Sequence, residues 1–322
     1  MTPDYAGLFS ALLPEASLVL GAVLVLGLDL TRYRHRRPSE RLSLALWVGL
    51  LALVAAGFQV WHAEPGPVFG GELLIDHLAT ATRLGVVALT LLTFGITQVS
   101  PAPRQSAEYV AILLLAASGL LVMAAAQQLL LVFLALELAS LSLYVLAGFD
   151  RTRAESAEAG LKYFLFGGMA AAFLLFGFSL VYGATGSIEL PEIARQIAAQ
   201  GSNPLLVVGL MMILVAFGFK VAAAPFHLWA PDVYQGAPAP SAALIASASK
   251  LAGFTLFTRL LWPGFSPAAG SVTWLNHSPG WFRAVAVLAG ASLVLGNVAA
   301  LAQTSLRRLL AYSAIAHAGA LL

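Results

Sequence analysis

Runs of about twenty apolar residues recur along nearly the whole chain, separated by short polar stretches. An α-helix of that length crosses a hydrocarbon core of about 30 Å, where every backbone polar group must be bonded within the segment. Hydrophobic residues make up 60% of the sequence, charged residues make up 10%, and the mean hydropathy is +0.87. A soluble domain is far more polar. We therefore predict an all-α fold, a polytopic transmembrane helix bundle.

Ten such runs can be placed along the chain. Their approximate residues are 12–30, 42–61, 76–98, 109–126, 128–148, 158–182, 205–235, 241–261, 284–302 and 309–322. The tenth has about half the length that a span needs, so we expect either that another segment completes it or that the natural chain continues past Leu322. The longest connections hold about twenty residues, which is too few for a soluble domain between spans.

Basic residues alternate between the connections, and this alternation predicts the orientation of the spans. Cytoplasmic loops of membrane proteins carry an excess of Lys and Arg. The first connection and every second one after it hold Arg32, Arg34, Arg36, Arg37, Arg41, Arg104, Arg151, Arg153, Arg307 and Arg308. The opposite connections hold only Arg195 and the boundary residue Arg283 and are richer in glutamate. We predict that the arginine-rich loops face the cytoplasm and that the N-terminus lies outside.

Composition also excludes several kinds of site. The chain has no cysteine, which removes disulfides, thiolate catalysis and cysteine-ligated zinc or iron–sulfur sites. No redox centre is visible in the sequence, and we predict no cofactor or metal site in this chain. The formal net charge of +2 is too small to suggest a nucleic-acid partner.

Lysine occurs only inside the predicted spans. Lys162, Lys220 and Lys250 are the three lysines of the chain, whereas most arginines lie in loops. A guanidinium stays protonated in proteins, whereas a buried ammonium can release its proton. Lys220 and Lys250 lie deep in their runs, where a charge costs roughly 2.5 to 3.5 kcal/mol, so we predict that they carry protons. Lys162 lies one turn inside its run, where snorkelling to the interface is a structural alternative.

Other charged residues in the runs have structural explanations. Arg83 lies two turns from Asp76 on the same helix face, and Arg259 lies near a helix end, so pairing and snorkelling account for them. Glu158 and Lys162 are spaced i, i+4 in the order that stabilises a helix by a few tenths of a kcal/mol. That pair does not discriminate between a structural and a functional role.

Glu137 is the one acidic residue deep in a predicted span. An isolated buried carboxylate tends to become neutral, whereas a paired one can stay charged. We therefore hypothesise a Glu137–Lys220 ion pair between the fifth and seventh helices. In that pair the carboxylate would control how tightly the lysine holds its proton.

The stretch Phe217–Tyr234 places a lysine, a proline and a histidine in the seventh run. Pro225 lacks an amide proton and disfavours helical dihedrals at Ala224, so we predict a discontinuous seventh helix with its break near residues 221–224. Broken helices at membrane depth occur where they line a cavity or a binding site. A merely kinked helix is the alternative. His227 would face that cavity and pass protons, or would bond a backbone carbonyl as a core histidine.

Several stretches together resemble a known family. They are Leu136-Glu137-Leu138, Gly160–Phe164, Phe219–Tyr234, Ser249-Lys250 and Gln303–Ser313. These stretches are similar to the antiporter-like membrane subunits of respiratory complex I, the subunit N family of bacterial NADH-quinone oxidoreductase, which is related to multisubunit sodium/proton antiporter subunits. The resemblance runs through essentially the whole chain. It implies an antiporter-like inverted-repeat architecture, with about ten helices here of an expected fourteen and a broken helix in each five-helix repeat.

The resemblance also implies a division of the chain. Residues 1–107 would form an N-terminal three-helix segment, residues 108–262 the first five-helix repeat with the proton-channel residues, and residues 281–322 the start of a second repeat.

Roles for individual residues follow from the same resemblance. Glu137 and Lys220 would form the controlling pair, Lys250 would relay protons along a central hydrophilic axis, and Lys162 and His227 would assist. The implied function is a proton-translocating subunit of NADH-quinone oxidoreductase, coupled to quinone reduction elsewhere in the complex. NAD, FMN, iron–sulfur clusters and quinone are expected in partner subunits.

The implied surroundings are the bacterial inner (plasma) membrane, its lipid bilayer, and neighbouring antiporter-like and small helical subunits. Two other functions remain open. One is a subunit of a multisubunit sodium/proton antiporter, although the sequence offers no distinctive set of hard oxygen ligands for sodium. The other is a non-pumping membrane scaffold subunit whose buried charges pack against partners.

Overall fold

The computed structural model describes residues 5–101, 103–201, 203–271, 278 and 280–322, and these residues are mostly helical. The helices are α1 (Tyr5–Leu28), α2 (Pro38–Trp61), α3 (His77–Val99), α4 (Ser106–Ala125), α5 (Leu129–Ala147), α6 (Ala154–Thr185), α7 (Leu190–Gln200), α8 (Pro204–Val221), α9 (Trp229–Gly236), α10 (Ala239–Ala246), α11 (Ala248–Arg259), α12 (Trp281–Leu301) and α13 (Leu306–Leu321). Single π-helical turns follow α1 over Asp29–Tyr33 and α11 over Leu260–Gly264, and 3-10 turns occupy Phe69–Gly71 and Ser266–Ala268. Two strands, β1 (Gly66–Val68) and β2 (Leu73–Ile75), pair antiparallel with Gly66 opposite Ile75.

Nine helical segments in the described part of the chain are long and apolar enough to cross a membrane, and each overlaps one of the first nine predicted runs; the seventh, Pro204–Val221, covers only the first part of its run. The predicted all-α bundle is confirmed. The tenth run forms α13, whose 16 residues are fewer than a span needs. The division into residues 1–107, 108–262 and 281–322 stays a prediction, and residues 1–4, 102 and 202 of the first two parts lie outside the described residues.

Helix α4 lies at the centre of the bundle. It packs against α1, α2, α3, α5 and α11, and most of its side chains are buried. A helix that is covered on all sides needs no polar face, which explains why its sequence is apolar throughout. Through α4, the first three helices are joined to the helices that carry the buried lysines.

Helices α6 and α8 approach each other through glycines. A Cβ atom at Gly177 would lie 2.9 Å from the carbonyl oxygen of Gly209, so the two backbones can meet this closely only without side chains. α9, the short helix that follows α8, also packs against α6. α6 therefore supports both halves of the seventh run.

The seventh run is discontinuous, as predicted. α8 ends at Val221, Ala222 adopts a left-handed backbone with φ of 59°, and α9 begins at Trp229. The freed amides find partners: that of Ala223 donates to the Gly218 carbonyl at 2.7 Å, and that of Ala224 donates to a serine hydroxyl of α12 at 2.8 Å. The interruption is thus a bonded structure and not a frayed end.

The eighth run, predicted at about residues 241–261, lies in the span Ala239–Gly264, and an interruption that was not predicted divides its helix. α10 and α11 are separated at Ser247, whose dihedrals are φ −114° and ψ −79°. The Ser247 hydroxyl donates to the Ala243 carbonyl at 2.7 Å, so the side chain bonds a carbonyl of the helix it ends. Lys250 consequently lies in the first turn of a helix and not in the middle of one.

Two buried arginines have partners other than the predicted ones. Arg83 does not pair with Asp76, because its Nη2 lies 2.6 Å from Oε1 of Glu15 on α1. Asp76 accepts instead from Arg259, which also donates to the Ala124 carbonyl at 2.7 Å. Arg259 is therefore buried between helices and does not snorkel to the interface. Position along a helix indicates depth, but it does not indicate which neighbouring helix a side chain meets.

Two elements outside the spans were not predicted. α7 is amphipathic and buries Leu190, Ile193 and Ile197. It packs mainly against the turns that follow α11. The β1–β2 hairpin is bonded to a neighbouring connection, since the Gln127 amide donates to the Glu72 carbonyl at 2.8 Å. Both elements lie at the glutamate-rich end of the bundle.

Candidate proton path

Lys220 lies in the last turn of α8, directly before the break, and is only 5% exposed. Its Nζ donates a hydrogen bond of 3.2 Å to Oγ of Ser140 on α5. A cavity lined by both residues, and also by Tyr144, Gly167 and Phe219, offers about 10 Å³ to the centre of a water molecule. That volume is about the minimum for a single water. The ammonium is therefore held by a hydroxyl in a nearly dry interior.

Glu137 does not form the predicted ion pair with Lys220. Its Oε1 is buried and has no hydrogen-bond partner among the described residues. The two charges are near enough for electrostatic interaction, but the lysine bonds Ser140, which lies one turn further along α5. The pairing was predicted from depth alone, and depth does not fix the rotation of a helix about its own axis. Ser140 was not among the predicted site residues.

Lys250 lies in the first turn of α11, and its Nζ donates to the carbonyl oxygen of Ala314 on α13 at 2.8 Å. Gly253 follows one turn later on the same face of α11. A Cβ atom at Gly253 would lie 3.5 Å from Cγ of Lys220. Lys220 therefore packs against the turn of α11 that follows Lys250.

His227 lies in the loop between α8 and α9. Its ring is 6.3 Å from the ring of Tyr312 on α13, measured between centroids. Its Nδ1 is buried and has no partner within the described residues. Since Lys250 also bonds α13, the imidazole and this ammonium both face the same helix.

Trp229 fixes the second half of the broken helix. Its ring stacks on Tyr163 of α6 with centroids 4.5 Å apart, and its Nε1 donates to the carbonyl of Phe219 at 3.0 Å. That carbonyl belongs to the last turn of α8 and also accepts from the Ala222 amide at 3.0 Å, so the indole is its second donor. The backbone beside Lys220 is thus held by a buried aromatic cluster.

Lys162 belongs to a separate cluster at the arginine-rich end. Its Nζ lies 2.6 Å from Glu158, the predicted i, i+4 partner, and 2.6 Å from Asp232 of α9. The other oxygen of Asp232 lies 2.6 Å from Nη1 of Arg308 on α13. Asp232 and Arg308 were not among the predicted site residues. The position of Asp232 in the second half of the broken helix could have indicated it as a candidate. Nothing in the sequence indicates that Arg308 of α13 contacts Asp232. The described residues contain no group of three or more His, Asp or Glu that could hold a metal ion.

The buried cations divide by the kind of partner they have. Arg83 and Arg259 bind carboxylates. Lys220 and Lys250 bond neutral oxygens, a hydroxyl and a carbonyl respectively, and form no ion pair within the described part of the chain. A carboxylate partner strongly favours the charged form of a base, and a neutral oxygen does so much less. Lys220, which is buried, and Lys250, which is partly buried, can therefore release a proton at lower cost than if each were paired with a carboxylate.

Residues 126–322 match the protein family described as "NADH:quinone oxidoreductase/Mrp antiporter, TM". The chain is 44% identical over 333 residues to NADH-quinone oxidoreductase subunit N 2 of Acidobacterium capsulatum. The aligned region covers 99% of this chain and 66% of the relative. It is 39% identical over 328 residues to NADH-quinone oxidoreductase subunit N of Alkalilimnicola ehrlichii, covering 100% of this chain and 64% of the relative. The chain therefore spans just under two thirds of the length of these relatives.

Solved structures share the fold over nearly the whole chain. A chain of respiratory complex I from Thermus thermophilus with bound aureothin matches with a TM-score of 0.76 and 36% identity, over 95% of this chain and 62% of that one. A chain of the membrane-bound sulfane sulfur reductase, an archaeal respiratory membrane complex, matches with a TM-score of 0.78 and 25% identity, over 96% and 63%. In sequence and in fold, the chain belongs to the family of NADH:quinone oxidoreductase and Mrp antiporter membrane subunits.

Proposed function

We propose that this chain forms part of a proton-translocating membrane subunit of NADH-quinone oxidoreductase, in which Glu137, Lys220 and Lys250 lie on the path. Proton movement would be coupled to quinone reduction elsewhere in the complex. NAD, FMN, iron–sulfur clusters and quinone would be held by partner subunits, and neighbouring antiporter-like and small helical subunits would contact this one. The subunit would lie in the bacterial inner membrane, with the arginine-rich loops in the cytoplasm and the N-terminus outside.

The observation that carries the proposal is the neutral hydrogen-bond partner of Lys220 and of Lys250. Ser140 can accept a hydrogen bond from a charged Lys220 and can turn its hydroxyl to donate to the neutral amine. The Ala314 carbonyl can accept from Lys250 in either state, because a neutral amine still has N–H groups. Each lysine thus keeps a bonded partner before and after it releases a proton.

Proton transfer between the lysines is favoured by their placement. Lys220 and Lys250 lie on packed helices, each beside a helix interruption. Glu137, on the same helix as Ser140, supplies a negative charge that would hold the proton on Lys220 when ionised and would favour its release when neutral. His227 faces α13 next to Lys250 and can accept or donate a proton there. Lys162, bound by two carboxylates, assists from the arginine-rich end, where protons would enter.

The proposal is tested by proton pumping in the intact complex reconstituted into liposomes. Lys220→Ala and Lys220→Arg should each lower the number of protons moved per NADH oxidised severalfold, because alanine has no titratable group and arginine does not release its proton. Arg36→Ala, which removes an exposed loop charge, is the matched control and should leave the ratio unchanged. Normal assembly with full pumping in both Lys220 variants would refute the channel and favour the scaffold function.

The second candidate function is a sodium/proton antiporter subunit, which the shared family with Mrp antiporters supports. Transport should then depend on sodium. Pumping is therefore compared in liposomes with sodium and in liposomes where potassium replaces it. Equal rates support proton translocation alone, and loss of transport without sodium favours the antiporter.

A further inference from the structure

A cavity of about 620 Å³ opens at the arginine-rich end of the bundle, between the α3–α4, α5–α6 and α9–α10 connections. Four arginines line it: Arg104, Arg151, Arg153 and Arg307. Its inner side is closed by Tyr109, whose hydroxyl lies 2.8 Å from Oγ of Ser241 and whose ring packs edge-on to Phe149. This basic cavity lies apart from the residues of the proposed proton path.

Most of the positive charge in the basic cavity is not neutralised. Among the described residues, Arg104, Arg151 and Arg307 form no ion pair with any carboxylate, and Arg153 lies 3.7 Å from an exposed Glu155. Uncompensated guanidinium groups around one concave space attract an anion. Guanidinium is also the side-chain group that binds phosphate in a bidentate manner.

Three helix N-termini add to this charge. α4 begins at Ser106, α6 at Ala154 and α10 at Ala239, all beside residues that line the basic cavity. None of the three is capped by a side chain. Each N-terminus carries a partial positive charge and amides without a helical partner. The helix ends therefore reinforce the arginines.

Apolar surface leads from the basic cavity toward the middle of the membrane. Leu92, Ile96 and Val99 of α3 are exposed and spaced i, i+4 and i+7, so they lie along one side of the helix. Thr97 and Ser100 of the same helix line the basic cavity. A molecule with a charged head in the cavity could place hydrocarbon chains along α3.

We propose that the basic cavity binds the phosphate head group of an anionic phospholipid, with Arg104, Arg151 and Arg307 around the phosphate. The cytoplasmic leaflet, where the predicted orientation places this cavity, is rich in anionic lipid, and basic pockets between transmembrane helices are sites for such head groups. A cavity of this size is within the range of sites for small molecules. Asp150 is the opposing charge: a hydrogen bond from Thr152 lowers the pKa of its carboxyl, which keeps it ionised near neutral pH.

The test measures phosphatidylglycerol bound to the purified, delipidated complex, by native mass spectrometry over a range of lipid concentrations. Each arginine near a lipid head group contributes about 1 kcal/mol, or about fivefold in affinity, so the Arg104→Gln/Arg151→Gln variant should bind about 30-fold more weakly. Arg307 is left unchanged because it also donates to the Gln235 carbonyl at 3.1 Å. The matched control is Arg32→Gln/Arg34→Gln, which removes the same charge from a loop at the same end and should bind as the parent does. Asp150→Asn should bind more tightly, and it keeps the test informative if the double variant assembles poorly.

Four results would overturn the proposal. Equal affinity in the parent and the Arg104/Arg151 variant would show that the basic cavity is not the site. An equal loss in the Arg32/Arg34 control would show a general effect of surface charge. Displacement of the lipid by millimolar inorganic phosphate, or equal binding of phosphatidylcholine, would show that an anionic lipid is not the preferred ligand.

Discussion

Replacing Arg83 with methionine would leave Glu15 without its partner in the interior of the bundle. The Arg83 side chain is 1% exposed and that of Glu15 is 8% exposed, and a single contact of 2.6 Å joins them. Removing one member of a buried ion pair costs about 3 to 5 kcal/mol, because the other charge stays buried and uncompensated. Arg83→Met and Glu15→Leu should therefore each destabilise the protein by about that amount.

The double variant Glu15→Leu/Arg83→Met should behave differently. Oε2 of Glu15 and Nε and Nη1 of Arg83 are buried without partners in the described structure. Each such atom costs about 1 to 3 kcal/mol, so the native pair is far from fully satisfied. Apolar side chains remove these costs together with the ion pair. We expect the double variant to be at least as stable as the parent and several kcal/mol more stable than either single variant.

The assay is the melting temperature of the purified protein in detergent for the parent, both single variants and the double variant, together with proton pumping after reconstitution. A double variant that is less stable than both single variants would refute the reasoning about unsatisfied atoms. Pumping should be retained in the double variant, since Arg83 bonds only Glu15 and Ala11 of α1 and neither member of the pair has a hydrogen bond or ion pair with Lys220 or Lys250 in the described structure. Loss of pumping with unchanged stability would place Glu15 and Arg83 on the path.

Three further predictions concern the site and its support. Ser140→Ala should lower pumping up to about tenfold with normal assembly, because a hydrogen bond to a charged group contributes about 1.5 kcal/mol or more. Ser140→Thr keeps the hydroxyl beside Lys220 and should retain most of the pumping. Equal pumping rates in the two variants would contradict the role of the hydroxyl. Gly177→Ala should destabilise the protein by about 1 to 3 kcal/mol, measured by thermal unfolding, because the new methyl group would clash with the Gly209 carbonyl. An unchanged melting temperature would show that α6 and α8 can move apart at little cost. Asp232→Asn should lower the free energy of unfolding by about 1 kcal/mol, because the two ion pairs that it removes are partly exposed. The loss is measured by the same thermal unfolding and should be larger at low salt.

Local chemistry made much of the fold predictable. Apolar runs indicate spans because the hydrocarbon core has a fixed thickness. Pro225 indicates the break after α8 because its effects on the amide and on the preceding residue are local. The interruption at Ser247 carries no such strong signal: no proline or glycine occurs from Ser241 to Ala252, and the hydroxyl that bonds the Ala243 carbonyl belongs to one serine among several in this run.

Pairings between helices were less predictable for a physical reason. Glu137 and Lys220 were predicted at similar depth, yet the lysine bonds Ser140, which lies one turn further along α5. A small rotation or shift of a helix about its own axis is enough to change which side chain meets the neighbouring helix. Arg83 illustrates the same limit, since a partner on its own helix face was available at Asp76 and the actual partner lies on α1. Sequence position gives depth and face, whereas the choice among neighbours is made by packing.

The two helix interruptions give the two lysines different electrical surroundings. α8 ends in a loop, so its C-terminal end presents a partial negative charge to Lys220. At Ser247 the C-terminal end of α10 meets the N-terminal end of α11, and their opposite partial charges largely cancel beside Lys250. The backbone therefore favours a positive charge at Lys220 over one at Lys250. In a path through both lysines, the field of the backbone itself would oppose movement of a proton from Lys220 to Lys250.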